Sequence, residues 1–357
     1  MRPMARRRGL LFMSLLVLGS VLTAVGVGLG LPHLATDGVG PGDVVGGAAL
    51  VMGAVLLLAG GVGLVRVTPG WWRLATAPAV LVAAALAVYV LATPLAAAFP
   101  ARQPVNATPA VDVEEVTVPT SDGELLAGWF APAPGGAAVV LLPGSGSSRD
   151  AVVDHLAVLK RGGYAVLALD PRGHGRSTGR GMDWGWSGET DVAAAVTYLA
   201  GRADVDAGRI AVVGLSMGGE QAIGAVGADE RVRAVVAEGV TGRGAADLHW
   251  LPSVYGWRGS VAEALHQATT AVADVLSPAD PPPTLRAAAA AAGPRPILLV
   301  VAGTAVDEDH AAADIRGASP GNVTVWTVPM ARHIGALRTD PEAWAEHVLG
   351  FLDEHVG

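Results

Sequence analysis

Three stretches of this chain, residues 10–31, 44–65 and 74–100, contain no Asp, Glu, Lys, Arg or His. A run of 22 residues such as 10–31, wound as a helix at about 1.5 Å per residue, is about 33 Å long and crosses a hydrocarbon core of about 30 Å. The sequence therefore predicts a membrane domain over 1–100 with three transmembrane helices. A cleaved signal peptide is the rival reading of the first run, but signal cores are about 7–15 residues long. No small-x-small cleavage pattern follows it, and two more apolar runs do. Gly26-Val27-Gly28 and Gly60-Gly61-Val62-Gly63 are what close helix packing needs. Compositional bias supplies them equally well, and that is the reading adopted from sequence. Intramembrane ionisable residues are what a transporter or proton relay normally shows. The absence of Asp, Glu, Lys, Arg and His from the three runs reads as an anchor.

Charge then orients the anchor. Arg2, Arg6, Arg7 and Arg8 precede the first run, the 32–43 loop has no Arg or Lys, and Arg66 and Arg73 flank the next loop beside Trp71 and Trp72. Basic residues favour the cytoplasmic side and Trp the interface. The expectation is a multi-pass cell-membrane protein with a cytoplasmic N-terminus and an extracytoplasmic domain after residue 101.

Residues 101–357 carry a formal net charge of −12 against +4 for residues 1–100. An acidic soluble part repels phosphate, so nucleic acid is not an expected partner. The chain has no cysteine, which excludes disulfides, thiolate metal sites and cysteine nucleophiles. Residues 101–110 (ARQPVNATPA) read as a short polar linker. From residue 111 onward the pattern alternates. Two short strands over 111–118 and 124–131 enclose Ser121-Asp122-Gly123. The continuous apolar run 137–142 and the segment 164–169 read as buried strands, and 209–215, 232–237, 296–302 and 323–328 as further strands. Helical spacing fills 150–161, 189–203, 218–226, 309–315 and 341–355. Strands alternating with helices imply a mostly parallel sheet of about eight strands with helices on both faces, an α/β class. Residues 240–293 break the rhythm and read as a small cap insertion.

Gly214-Leu215-Ser216-Met217-Gly218-Gly219 lies between an expected strand and an expected helix. A serine at such a turn sits on strained backbone with its hydroxyl above the sheet edge, and the flanking glycines remove side chains that would clash. With Asp170-Pro171-Arg172-Gly173-His174-Gly175-Arg176-Ser177, this motif resembles the α/β-hydrolase family over about residues 111–357. Within the family the chain is most similar to the dienelactone-hydrolase and acyl-peptidase-like branch.

The resemblance implies a Ser, acid, His order. Ser216 is the expected nucleophile, and His333, after the last strand and before the last helix, the expected base. The acid is expected after the strand ending at Ala302-Gly303. Asp307 best fits a Gly-x-x-x-Asp spacing, with Glu308, Asp309 and, from the preceding strand, Glu238 as alternatives. The backbone N–H groups of Met217 and Ser145 are the expected oxyanion hole. The loop Pro143-Gly144-Ser145-Gly146 has proline where the family usually has histidine, so the loop must be braced differently. His174 reads as a backbone brace. Trp184, Trp186, Trp250, Tyr255 and Trp257 either line a substrate pocket or pack the cap onto the core. Neither a metal cluster nor a cofactor motif is visible.

The function these readings imply is a membrane-anchored serine hydrolase acting on a small acyl substrate: an ester, thioester or amide, including a peptidase of the acyl-peptidase type. The competing class is a non-catalytic hydrolase-fold binding or scaffold module.

Overall fold

A computed structural model describes residues 2–37 and 41–357. Residues 38–40, inside the loop expected over 32–43, lie outside the described residues. The chain divides into two units, Met1–Arg102 with Ala268–Ser277, and Gln103–Gln267 with Pro278–Gly357.

In the first unit, α1 (Arg2–Val25) continues through a π-helical turn, Gly26–Gly30, into α2 (Leu31–Asp37). Two further long helices follow, α3 (Pro41–Val67) and α4 (Arg73–Ala98). Arg7–Thr36, Val44–Val67 and Gly70–Ala98 are long and apolar enough to cross a membrane. The first of these exceeds the expected 10–31 and takes in His33, whose Nδ1 lies 2.8 Å from the Leu29 carbonyl oxygen. Glycine is more than compositional bias here, contrary to expectation. A methyl on Gly46 would lie 2.5 Å from Gly30 Cα, and one on Gly19 would lie 2.7 Å from Leu57 N. α1 and α3 thus approach backbone to backbone where side chains are missing.

The second unit holds one eight-stranded sheet in the order β1-β2-β4-β3-β5-β6-β7-β8. β1 (Glu114–Pro119), β2 (Leu125–Ala131) and β4 (Ala165–Leu169) pair antiparallel at one edge. β3 (Ala138–Leu142), β5 (Ile210–Leu215), β6 (Val232–Glu238), β7 (Ile297–Ala302) and β8 (Val323–Val328) continue it in parallel. Alternate residues of one strand enter two separate cores. Val140 and Leu142 pack on one face, Val139 and Leu141 on the other. Side chains alternate along a strand, so a central strand buried on both sides must be apolar throughout. The helices α5 (Val153–Arg161), α6 (Gly188–Ala200), α7 (Met217–Ala228), α11 (Val306–Ala318), α12 (Ala336–Thr339) and α13 (Pro341–His355) complete the layers.

Between β6 and β7 lie α8 (Leu251–Tyr255), α9 (Trp257–Leu276) and α10 (Leu285–Ala291). The cap expected over 240–293 is shorter than that. Leu285, Ala288, Ala289 and Ala292 belong to the core, and a methyl on Gly227 of α7 would lie 2.7 Å from the Ala288 carbonyl oxygen. The expected linker is also not free chain. The N–H of Gln103 donates to His174 Nδ1 at 3.2 Å, and those of Asn106 and Ala107 donate to Asp150 Oδ2 at 2.7 and 3.1 Å.

Candidate active site

Ser216 stands at the junction of β5 and α7 with φ 51° and ψ −120°. A non-glycine residue there carries strain of about 1–3 kcal/mol, held by its surroundings. The surroundings are tight: a methyl on Gly218 would lie 2.6 Å from the carbonyl oxygens of Leu142 and Pro143. The Ser216 N–H donates to the Glu238 carbonyl at 2.7 Å. β5, its neighbour β6 and the loop after β3 therefore fix the serine's backbone together.

His333 sits in the loop between β8 and α12. Its Nε2 is 3.0 Å from Ser216 Oγ, and its Nδ1 is 2.7 Å from Glu308 Oε1. A carboxylate only accepts, so the ring proton belongs on Nδ1 and Nε2 is free to accept from the serine. Ile334, the next residue, has φ 48°, a second strained position and an outlier for a β-branched side chain. The site tolerates no bulk behind the ring: a methyl on Gly239, itself at φ 73°, would lie 3.1 Å from His333 Cε1.

Three buried carboxylates surround this pair. Glu308 Oε2 accepts the Ala302 N–H at 2.8 Å. Glu238 accepts the Ala336 N–H at 2.9 Å and Trp344 Nε1–H at 3.0 Å, which braces the histidine loop from below. Glu220 accepts the N–H groups of Thr241 and Gly242 at 3.0 and 2.8 Å. Burial pushes the pKa of Glu238 and of Glu220 up. The hydrogen bond that His333 donates to Glu308 raises the His333 pKa, opposed by burial of the ring and reinforced by the charges of Glu308, Glu220 and Glu238.

The loop after β3 passes against the serine: a methyl on Gly144 would lie 3.4 Å from Ser216 Cβ. Gly146 N–H donates to Asp183 Oδ2 at 2.9 Å, and Asp183 Oδ1 lies 2.9 Å from His174 Nε2. Ser147 Oγ donates to the Gly144 carbonyl at 2.6 Å. Asp183, His174 and Ser147 thus hold a loop that lacks the family's usual histidine. Among the described residues, neither the Met217 nor the Ser145 N–H has an intramolecular acceptor. Met217 opens α7, where such groups are normally left for a ligand.

Comparison with known proteins agrees with this architecture. A family model described as the alpha/beta hydrolase fold matches residues 137–274. An esterase of Pyrococcus furiosus, Pf2001, superposes with a TM-score of 0.56 at 24% identity, covering 72% of this chain and 100% of that one. The residues after 102 adopt the α/β-hydrolase fold. The hydrolase GrgF from a Penicillium species superposes with a TM-score of 0.52 at 20% identity over 69% of this chain and 99% of its own. In sequence, the uncharacterized protein Rv2307c of Mycobacterium tuberculosis is 37% identical over 131 residues, 35% of this chain and 46% of that protein. A protein named polyketide transferase grgF from Penicillium is 34% identical over 134 residues, 36% of this chain and 44% of that one. The chain spans under half the length of these curated relatives.

The structure does not bring the expected acid, Asp307, to the imidazole; Glu308 is the carboxylate placed there. Asp307 is exposed and accepts a hydrogen bond from Tyr255 Oη at 2.6 Å, away from the imidazole. Helix α11 begins at Val306, so residues 307, 308 and 309 point about 100° apart. Only Glu308 turns inward, with 2% of its side chain exposed. The spacing argument assumed extended loop where there is helix. Glu238 braces the histidine loop, and Asp309 is exposed.

Of the five aromatic residues, Trp184 and Trp186 lie against each other, and Trp250 and Tyr255 both flank His310. Trp186 is buried and donates Nε1–H to the Arg243 carbonyl at 2.7 Å, with Trp184 tilted against it at 6.1 Å. Trp250 packs with Leu251 and Ala311 and lies 5.4 Å from the His310 ring. Tyr255 is partly and Trp257 mostly exposed. Packing accounts for Trp186 and Trp250. Sequence reading passed over Asp183, Glu220 and Ile334. Glu220 alone left a trace, one helical turn after Ser216 on the same inward face.

Proposed function

We propose that the protein is a membrane-anchored serine hydrolase that cleaves an ester, thioester or amide of a small acyl substrate. The observation that carries this reading is the continuous chain Ser216 Oγ, His333 Nε2, His333 Nδ1, Glu308 Oε1, with steps of 3.0 and 2.7 Å. In the first half-reaction Ser216 Oγ bonds to the substrate carbonyl carbon while its proton passes to His333 Nε2. The carbonyl oxygen becomes an oxyanion facing the Met217 and Ser145 N–H groups. Collapse breaks the bond to the leaving group, which takes the proton back from His333. Water then repeats the sequence on the acyl-enzyme, releases the acid and restores the serine. Glu308 holds the imidazole orientation and stabilises the imidazolium. Acyl transfer, the activity in the name of the curated Penicillium relative, would share the acyl-enzyme and differ only in the acceptor. The His333 side chain is 49% exposed, so water has access and hydrolysis is the better fit.

A fluorophosphonate probe on the full-length protein tests this. Labelling and p-nitrophenyl ester hydrolysis should both disappear in Ser216→Ala with the circular dichroism unchanged. Labelling that survives Ser216→Ala, or an intact protein that neither labels nor hydrolyses, returns the domain to a binding or scaffold role.

A further inference from the structure

A cavity has His333 as part of its lining. It has a volume of about 480 Å³ and lies between α5 and the loop that carries His333; Arg161, Arg332, Arg338, Asp154, His155 and His333 all line it. Three features make it unlike ordinary surface. The domain is strongly acidic, yet three guanidiniums and a single carboxylate meet here. Among the described residues none of the three arginine side chains is hydrogen-bonded or ion-paired to a carboxylate, although the other sign is abundant. And His155, only 7% exposed, has neither ring nitrogen hydrogen-bonded. A buried polar side chain without a partner is uncommon and calls for an explanation. Its ring lies edge-on to Trp344 at 5.2 Å, and burial pushes its pKa down to about 4, keeping it uncharged.

Resting on the hydrolase reading above, we propose that this cavity binds an anionic group, a phosphate or carboxylate, on the leaving-group side of the substrate. The side follows from the chemistry. His333 returns its proton to the departing alcohol or amine, so that group must lie beside His333, and His333 is one wall of the cavity. Guanidiniums suit oxyanions because they offer paired donors in a planar fork. A substrate carrying its negative charge on the acyl side would gain nothing here.

The test uses the full-length protein in neutral detergent micelles and two esters with one acyl chain. One ester has 4-hydroxybenzoate as leaving group, the other 4-hydroxybenzamide, which differ in charge and little in size. The carboxylate ester should have the higher kcat/KM, by about tenfold, equivalent to about 1.4 kcal/mol, and the preference should shrink as salt screens the charges. Arg161→Gln/Arg338→Gln should abolish the preference and leave the neutral ester within about twofold. Independently of turnover, calorimetry should detect glycerol 3-phosphate binding to Ser216→Ala protein and none to the same protein with both arginines replaced. Acylglycerol phosphates with long and short chains then separate a lipid headgroup from a soluble phosphate as the natural source. Equal kcat/KM for the two esters, or a double variant that slows both alike, overturns the proposal. So does absent glycerol 3-phosphate binding. Failure of Ser216 to label, with binding intact, sinks the hydrolase reading and leaves the anion cavity standing.

Discussion

Replacing Glu308 by Gln changes one atom type and should nearly abolish turnover. In the native protein one carboxylate oxygen accepts the Ala302 N–H at 2.8 Å and the other faces His333 Nδ1 at 2.7 Å. A glutamine has one oxygen for two donors. If that oxygen keeps Ala302, its NH₂ faces Nδ1 and forces the proton onto Nε2, where it blocks the transfer from Ser216. If the amide flips, its NH₂ opposes the Ala302 N–H in a buried position, which costs about 1–3 kcal/mol. The first arrangement satisfies both partners and should prevail. It leaves the histidine in the wrong tautomer, a change that lowers kcat by about 10⁴ in the precedent of a serine protease, equivalent to about 5.4 kcal/mol of barrier. Asp307→Asn is the matched control. It alters an exposed side chain bonded to Tyr255, and kcat should stay within about threefold, since exposed charges are screened. Steady-state ester hydrolysis at one pH, with folding checked by circular dichroism, makes the comparison. The reasoning is refuted if Glu308→Gln keeps more than about a tenth of native kcat, or if Asp307→Asn is the more damaging.

The pH profile gives a second check. Protonated His333 cannot accept from Ser216, and its hydrogen bond to Glu308 favours the protonated form. kcat/KM should therefore rise with pH through a midpoint above the ordinary histidine value, and residual activity in Glu308→Gln should show a midpoint displaced downward. Glu238→Gln should mainly destabilise. Its carboxylate accepts two buried donors, and glutamine can satisfy one, so a loss of about 1–3 kcal/mol is expected by thermal unfolding, with a smaller drop in kcat than Glu308→Gln. For topology, alkaline phosphatase fused after residue 110 should be active and a cytoplasmic reporter at the same point silent, and the opposite result would reverse the assigned orientation.

Much of the fold was legible because its signals are local or periodic. The strands β3, β4, β5 and β7 are apolar and buried throughout, and a strand buried on both faces can hardly be anything else. The Ser216 turn is written in glycines, since Gly214 and Gly218 leave room where backbone comes close. His333 follows from its place after the last strand. The three apolar helices need only length and the absence of charge. What the sequence did not determine was every choice that depends on which way a side chain faces. Asp307, Glu308 and Asp309 are adjacent acids, and the start of α11 at Val306 turned only the middle one toward the imidazole. Glu238 could have served His333, but the position of Trp344 and the Ala336 N–H made it a brace. The glycines of α1 and α3 looked like composition until two backbones met across them. Periodicity specifies an element's faces. The residue at which a helix begins sets its phase, and the packing of distant segments decides what each face meets, so the acid, the brace and the arginine-lined cavity exist only in three dimensions.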